Sequence, residues 1–485
     1  MEKIRIGLVS FTDPRSVDLA SETERYNRKN HQETAVFLKN AGFEVLDPRA
    51  EAEFPTVRSS SEVREVVHAL RAAGADGLIV GCWKWTDPML AIELVRDLNV
   101  PTLLFARKDV YSTGIGCMSA IGAGLWEIAP NLPALRHRRI LDDLDEVARW
   151  ARGVGALMQL RRGNLLLWGG SYALRMEHLE DDAAKLKSFL VGDLLVEGQY
   201  LLIRRAEAIL RDQYERVEAF IRWLEDQGTT ILYDDRMLTA ASFRKQIALL
   251  LAARQRLDEL KDMNILGVSL RCQPELSEEY GVTGCTIPSF LPFGEDHEGP
   301  KPIVSTTCEG DIKGLITSTL MNLIQPDVPA AFGDIRHMEV DGRHLLMIGN
   351  CGGASIYYAA NSGRAADVLP HVTIQGQCQG ASGGAVGYRG IATTPATIAR
   401  LIRINGTYSM QLGVGEAVDV TPDMINALRW GAMWPQVAID LNRTIEDLIQ
   451  VIGSNHYSLL PGDHAAEITY VCHEVGIPVT RIDRA

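Results

Sequence analysis

Short apolar runs recur through the first hundred residues, separated by stretches of helical periodicity, and no other feature restricts the fold as much. IRIGLVSF (4–11), FEVL (43–46), DGLIVGC (76–82) and PTLLF (101–105) read as strands. Between them, 26–41 (which stops at Gly42), 61–74 and ELVRDLN carry apolar residues at helical spacing. Strands alternating with helices imply a parallel sheet flanked by helices. Ligands in such folds sit beyond the carboxyl ends of the strands, which puts FTDPR (11–15) and CWKWTDP (82–88) on the functional edge.

The pattern restarts near residue 160. NLLLWGG (164–170) is strand-like, and Ile203, Ala206, Leu210, Val217, Phe220 and Leu224 predict one long amphipathic helix over 200–226, ended by Gly228. TTILYDD (229–235) is a further strand, SFRKQIALLLAARQRL (242–257) a helix capped by Ser242, and NILGVSL (264–270) the next strand. Beyond about residue 340 the texture changes. Glycine becomes frequent in GNCGGAS (349–355) and QGQCQGASGGAVGYRG (375–390), and strands follow without long helices between them. The 485 residues exceed one ordinary core. The expectation is an α/β protein. Two Rossmann-like domains with parallel sheets, 1–160 and 161–340, precede a mostly antiparallel, β-barrel-like C-terminal domain, 341–485.

Charge and patterning exclude several function classes. A net charge of −13 with no basic run argues against nucleic acid, whose binding needs a basic surface. No stretch approaches 18 uninterrupted apolar residues, and MEKIRIGLVSF lacks the apolar core of a signal peptide, so neither a membrane nor secretion is expected. The eight cysteines are scattered without a CxxC pair, which suits reduced thiols in a cytoplasmic protein.

The chain has no GxxxxGK[ST], HExxH or GxSxG. GIGCMSAIGAG (114–124) lacks the spacing of a dinucleotide loop and reads as close packing or a turn. Two carboxylates stand out: Glu309 in VSTTCEGDIKG (304–314) and Asp334 in AAFGDIR (330–336), each at the end of an apolar run. Asp311 reads as the cap of the helix GLITSTLMNLI. GSNHYSLLPGDH (453–464) adds His456 and His464. Taken singly, Glu309, Asp334 and His456 each fit an ordinary turn, cap or surface role. Taken together they offer two hard oxygen donors and an imidazole, a set suited to Mn²⁺, Mg²⁺ or Co²⁺.

VSFTDPR (9–15), LRCQPELSEEYGVTGCTIPS (270–289), EGPKPIVSTTCEGD (298–311), FGDIR (332–336) and GSNHYSLLPGD (453–463) together resemble the L-fucose isomerase and L-arabinose isomerase superfamily. The likeness is closest to shorter L-fucose isomerase-like proteins. It implies that Glu309, Asp334 and His456 hold a divalent metal, usually Mn²⁺, with Co²⁺ or Mg²⁺ as alternatives. It also implies that Glu309 and Asp334 exchange the sugar's protons by a cis-enediol route. Arg15, Gln273 and Asn455 are then candidate contacts to sugar hydroxyls. Trp83, with Trp85 as its rival, would stack on the sugar from a neighbouring subunit of a hexamer. Cys351 stands where some relatives carry a hydroxyl, and His464 is left as an outer or surface residue. The implied activity is aldose–ketose isomerisation of L-fucose, D-arabinose, L-arabinose or a related sugar. The alternatives are a metal-dependent epimerase or aldolase, or a non-catalytic sugar-binding protein.

Overall fold

The computed structural model describes residues 3–13, 17–52, 55–109, 113–128 and 136–484. Arg15 lies outside them. The chain forms two compact units, Met1–Met158 with Ala466–Gly476, and Gln159–Ala465 with Ile477–Ala485.

The first unit is built on a parallel sheet of β1 (Arg5–Ser10), β2 (Glu44–Leu46), β3 (Gly77–Gly81), β4 (Thr102–Ala106) and β5 (His137–Leu141), in the order β2-β1-β3-β4-β5. Successive side chains alternate between two separate cores. Leu8 and Ile79 enter one, and Val9, Leu78 and Val80 enter the other. Both faces are therefore covered, which is why these strands read as unbroken apolar runs. The stretch 114–124 lies in the helix Gly114–Ile128. There Gly124 leaves room for Ile92, whose Cδ1 would stand 2.5 Å from an added Cβ. The late segment Ala466–Gly476 also belongs to this unit, and Tyr470 is buried in its core.

The second unit carries another parallel sheet, of β6 (Asn164–Trp168), β7 (Asp193–Glu197), β8 (Ile265–Leu270) and β9 (Ser305–Cys308), in the order β9-β8-β6-β7. The helix expected over 200–226 is two helices, Tyr200–Asp212 and Tyr214–Asp226. Gln213, at φ −132 and ψ 34, leaves helical geometry between them, and each segment packs its own apolar face on the helix Ala240–Glu259. That helix is capped by Thr239, not Ser242. Ser242 sits three residues on and answers Thr239 in a reciprocal capping box, a role its hydroxyl fills as well as a cap would. TTILYDD does not join the parallel sheet. Thr230–Leu232 pairs with Thr373–Gly376 of the glycine-rich region, which pairs in turn with Gly384–Gly387.

The C-terminal strands form one seven-strand sheet of β10 (Ala331–Val340), β11 (Arg343–Gly349), β12 (Ala396–Ile404), β13 (Thr407–Val418), β14 (Gln436–Asp440), β15 (His456–Pro461) and β16 (Val479–Arg481). Its order is β12-β15-β10-β11-β14-β13-β16. Every pairing is antiparallel except β13 with β16. Because β12 also pairs with β13, the ladder turns back on itself, with β16 left on the outside, so the sheet is strongly coiled without being a simple barrel. The helix Ile312–Ile324 is buried along its whole length and contacts β8 and β9 of the parallel sheet and β10, β12 and β15 of the coiled one. Its first turn points to the place where the two sheets of this unit meet. Among the described residues no helix is long and apolar enough to cross a membrane.

Candidate metal centre

Glu309 follows β9 directly, and both it and Gly310 take φ +64. A left-handed backbone costs a non-glycine residue roughly 1–2 kcal/mol, so the turn persists only because its surroundings hold it. Glu309 N–H donates to Leu270 C=O at 2.8 Å, and its own C=O accepts from Ala173 N–H at 2.8 Å. Gly310 has no freedom to be larger, since a Cβ there would lie 2.6 Å from Gly170 O. The turn thus lifts the Glu309 side chain off the end of the sheet at one fixed place.

Asp334 and His456 reach the same place by register. They sit directly opposite each other on β10 and β15, and side chains opposite one another share a face of the sheet. His456 is 1% exposed. Its Nε2 lies 3.1 Å from Glu309 Oε2 and 3.5 Å from Asp334 Oδ1. On its other side Nδ1 lies 2.9 Å from Asp311 Oδ2. The Phe332 ring packs edge-on against the imidazole with centroids 4.9 Å apart.

Asp311 is the helix cap expected from sequence, and it does more. Its Oδ1 accepts from Gly314 N–H at 2.8 Å while Oδ2 takes both Arg400 and His456. Burial alone would raise its pKa, but the Arg400 guanidinium and the imidazole hold the carboxyl below the usual range. An ionised Asp311 keeps the proton on Nδ1, so that a ring which gives up its second proton turns the Nε2 lone pair toward Glu309 and Asp334, the arrangement that orients metal-binding histidines.

Burial pushes Asp334 above the usual carboxylate range; His456 opposes this and Glu309 adds to it. Burial would lower the His456 pKa, yet the hydrogen bonds of Asp311 and Glu309 carry it well above its ordinary value. The site therefore attracts positive charge. Arg400 contacts only Asp311 among its three carboxyls, so Glu309 and Asp334 confront Nε2 without a guanidinium between them. One ligand atom from each of Glu309, Asp334 and His456 lies within 4.8 Å of the others. Two hard oxygens and one imidazole suit a six-coordinate divalent ion with positions left for water or substrate.

Asn455 adjoins this cluster. Its Nδ2 donates to Asp334 Oδ1 at 2.7 Å, and its Oδ1 lies 2.9 Å from His178 Nε2. No spacing or motif in MEHLE marks His178, so sequence reasoning missed it. Gln273 is engaged with Gln379 Oε1 at 2.7 Å. Trp83 packs inside the first unit, 1% exposed, its indole N–H donating to Ser10 Oγ at 2.8 Å. Trp85 is 39% exposed. Cys351 contacts the Cys308 thiol next to Glu309, and that contact together with burial pushes its pKa well up. His464 faces Gln325 Oε1 and Pro461 C=O, each at 2.9 Å.

Residues 348–483 match the family described as L-fucose isomerase, C-terminal domain. The matched stretch contains His456, Asn455 and Cys351 and stops short of Glu309 and Asp334. No curated protein matches the chain.

Proposed function

From the match of residues 348–483 to the L-fucose isomerase C-terminal domain, we propose that the chain is an L-fucose isomerase-like protein and a divalent-metal-dependent aldose–ketose isomerase of a free sugar such as L-fucose, D-arabinose or L-arabinose. One observation carries the reading: Glu309 after β9, Asp334 within β10 and His456 at the start of β15 converge on one point with their ligand atoms mutually within reach. A cation held by these three, Mn²⁺ with Co²⁺ or Mg²⁺ as alternatives, supplies Lewis-acid polarisation of the carbonyl and balances charge developing on the sugar oxygens.

The chain's own groups do the rest. Isomerisation takes a proton from C2 and returns one to C1, while a second proton moves between the two oxygens. Glu309 and Asp334 are the base and acid of this cis-enediol route. Asn455 fixes the Asp334 carboxyl by direct hydrogen bond, and Asp311 fixes the ring of His456. Gln273, Arg15 and Asn455 are the candidate contacts to sugar hydroxyls. Stacking falls to the CWKW pair. A buried Trp83 presents no open indole face within the chain, so Trp85 is the better placed of the two. The protein is taken to work in the cytoplasm as a homo-oligomer, hexameric by family resemblance, without nucleic acid or membrane partners.

The test is ketose formation from a panel of aldopentoses and 6-deoxyhexoses, first after chelation and then with Mn²⁺ restored. Metal-dependent formation of one ketose is expected. An epimer or a cleaved product would move the protein to the epimerase or aldolase class. Failure to bind Mn²⁺ would favour a sugar-binding protein.

A further inference from the structure

A cavity of about 590 Å³ opens at the carboxyl end of the second parallel sheet. Gly169 follows β6, Gln199 lies just beyond β7 and Arg271 follows β8, so this is the edge at which open α/β sheets receive ligands. None of Glu309, Asp334 and His456 lines it. Val196 and Tyr200, 64% and 66% exposed, stand among its lining residues and leave it open to solvent.

Four of its lining side chains carry a buried polar atom without a partner: Gln199 Oε1, Arg271 Nε, Glu275 Oε2 and the Tyr280 hydroxyl. Gln199 is only 5% exposed, and its amide nitrogen is committed to Trp168 C=O and Arg271 C=O, which fixes the free oxygen in place. A buried polar group left unpaired is costly, so several at one cavity mark a place where a bound molecule gains by pairing them. The free atoms include acceptors, a donor and a hydroxyl that is both.

Charge narrows the class. Arg271 is already paired with Glu275, and Glu279 adds a further carboxylate, so an anionic ligand such as a phosphate ester meets net repulsion. The rest of the wall is Glu197, paired with Arg256, three glycines, and the apolar surfaces of Val196, Ile203, Tyr200 and Tyr280, whose ring carries Lys245 on one face. An apolar face flanked by alternating donors and acceptors matches a neutral polyhydroxylated ring, which offers C–H on its faces and hydroxyls on its rim. We propose that this cavity is a binding site for a neutral sugar or cyclic polyol, separate from the metal cluster.

The proposal stands without the isomerase reading, but the two places are mechanically joined. Leu270, which holds the Glu309 N–H, is the neighbour of Arg271, and Gly310 rests against Gly170.

The experiment titrates the full-length, chelated protein with L-fucose, D-arabinose, D-glucose and myo-inositol, with adenosine and glucose 6-phosphate alongside, followed by saturation-transfer NMR. Chelation removes the metal-dependent mode, so the outcome is distinct from that of the activity panel. Saturable binding of at least one neutral sugar or inositol is expected, weakened about tenfold or more by Gln199→Leu. Val196→Trp, at an exposed position where folding is not at stake, should weaken it at least as much by filling the mouth, and Mn²⁺ binding should survive in both variants. Sugar or inositol binding indifferent to Val196→Trp, no such binding at all, or preference for adenosine or glucose 6-phosphate would overturn the proposal.

Discussion

Two buried histidines, one in each unit, have both ring nitrogens engaged and yet promise opposite things. His31, 5% exposed, lies 2.8 Å from Ser10 Oγ through Nδ1 and 2.8 Å from Asp47 Oδ2 through Nε2. His456 has Asp311 on Nδ1 and both Glu309 and Asp334 before Nε2. One carboxylate and one hydroxyl satisfy His31 as a structural clasp between β1 and the chain after β2. At His456 the third carboxyl turns the clasp into a cation site. Among the described residues the only group of three or more metal-capable side chains is the one at His456. Burial and full hydrogen bonding do not separate the two histidines; the excess of carboxyl groups does.

Removing each ring tests that distinction most directly. His456→Ala should weaken Mn²⁺ binding by about 100-fold or more, since changes even to groups behind a metal ligand cost 10–100-fold. Titration calorimetry would read it. Glu309→Gln should abolish ketose formation, and full activity in that variant would remove it from the site. His31→Ala should leave Mn²⁺ affinity where it was and instead lower folding stability, by about 1–3 kcal/mol, as buried Ser10 and half-buried Asp47 lose their hydrogen bonds to the ring. A metal-binding defect in His31→Ala would break the comparison.

A gentler change sharpens it. Asp311→Asn keeps one oxygen, enough for the helix N-terminus or for the His456 ring but not for both, and removes the charge that fixes the imidazole tautomer. Mn²⁺ affinity should fall by about 10–100-fold, and folding stability should fall with it because buried Arg400 loses its counter-charge. The matching change, Asp47→Asn beside His31, should leave Mn²⁺ binding unchanged.

Much of this was legible in the sequence, for unequal reasons. The parallel sheets were visible because strands buried on both faces are continuously apolar. Glu309, Asp334 and His456 could be named because short motifs carry them, although only the register of β10 on β15 and the turn after β9 bring them together. Asp311 was read as a helix cap and is one; its second oxygen is spent on a ring 145 residues away, which no local pattern encodes. The break at Gln213 escaped because both halves of the helix keep the same apolar spacing. His178 escaped because an isolated histidine in a polar segment has no periodicity to betray it.

The smallest expected effects concern residues one step further out. His178 supports Asn455, and Asn455 supports Asp334, so His178→Ala leaves every proposed ligand in place and loosens only the orientation of one. Its effect should be a few-fold loss of kcat with Mn²⁺ affinity nearly unchanged, while Asn455→Ala should cost more because it also strips a hydrogen bond from the half-buried Asp334 carboxyl. His464→Ala should alter neither quantity, since that ring faces Gln325 and Pro461 rather than the carboxyls. The order Asn455, His178, His464 follows from distance in the hydrogen-bond chain, not from distance along the sequence. If His464→Ala proved the most damaging of the three, the chain of support drawn from Asp334 outward would be wrong.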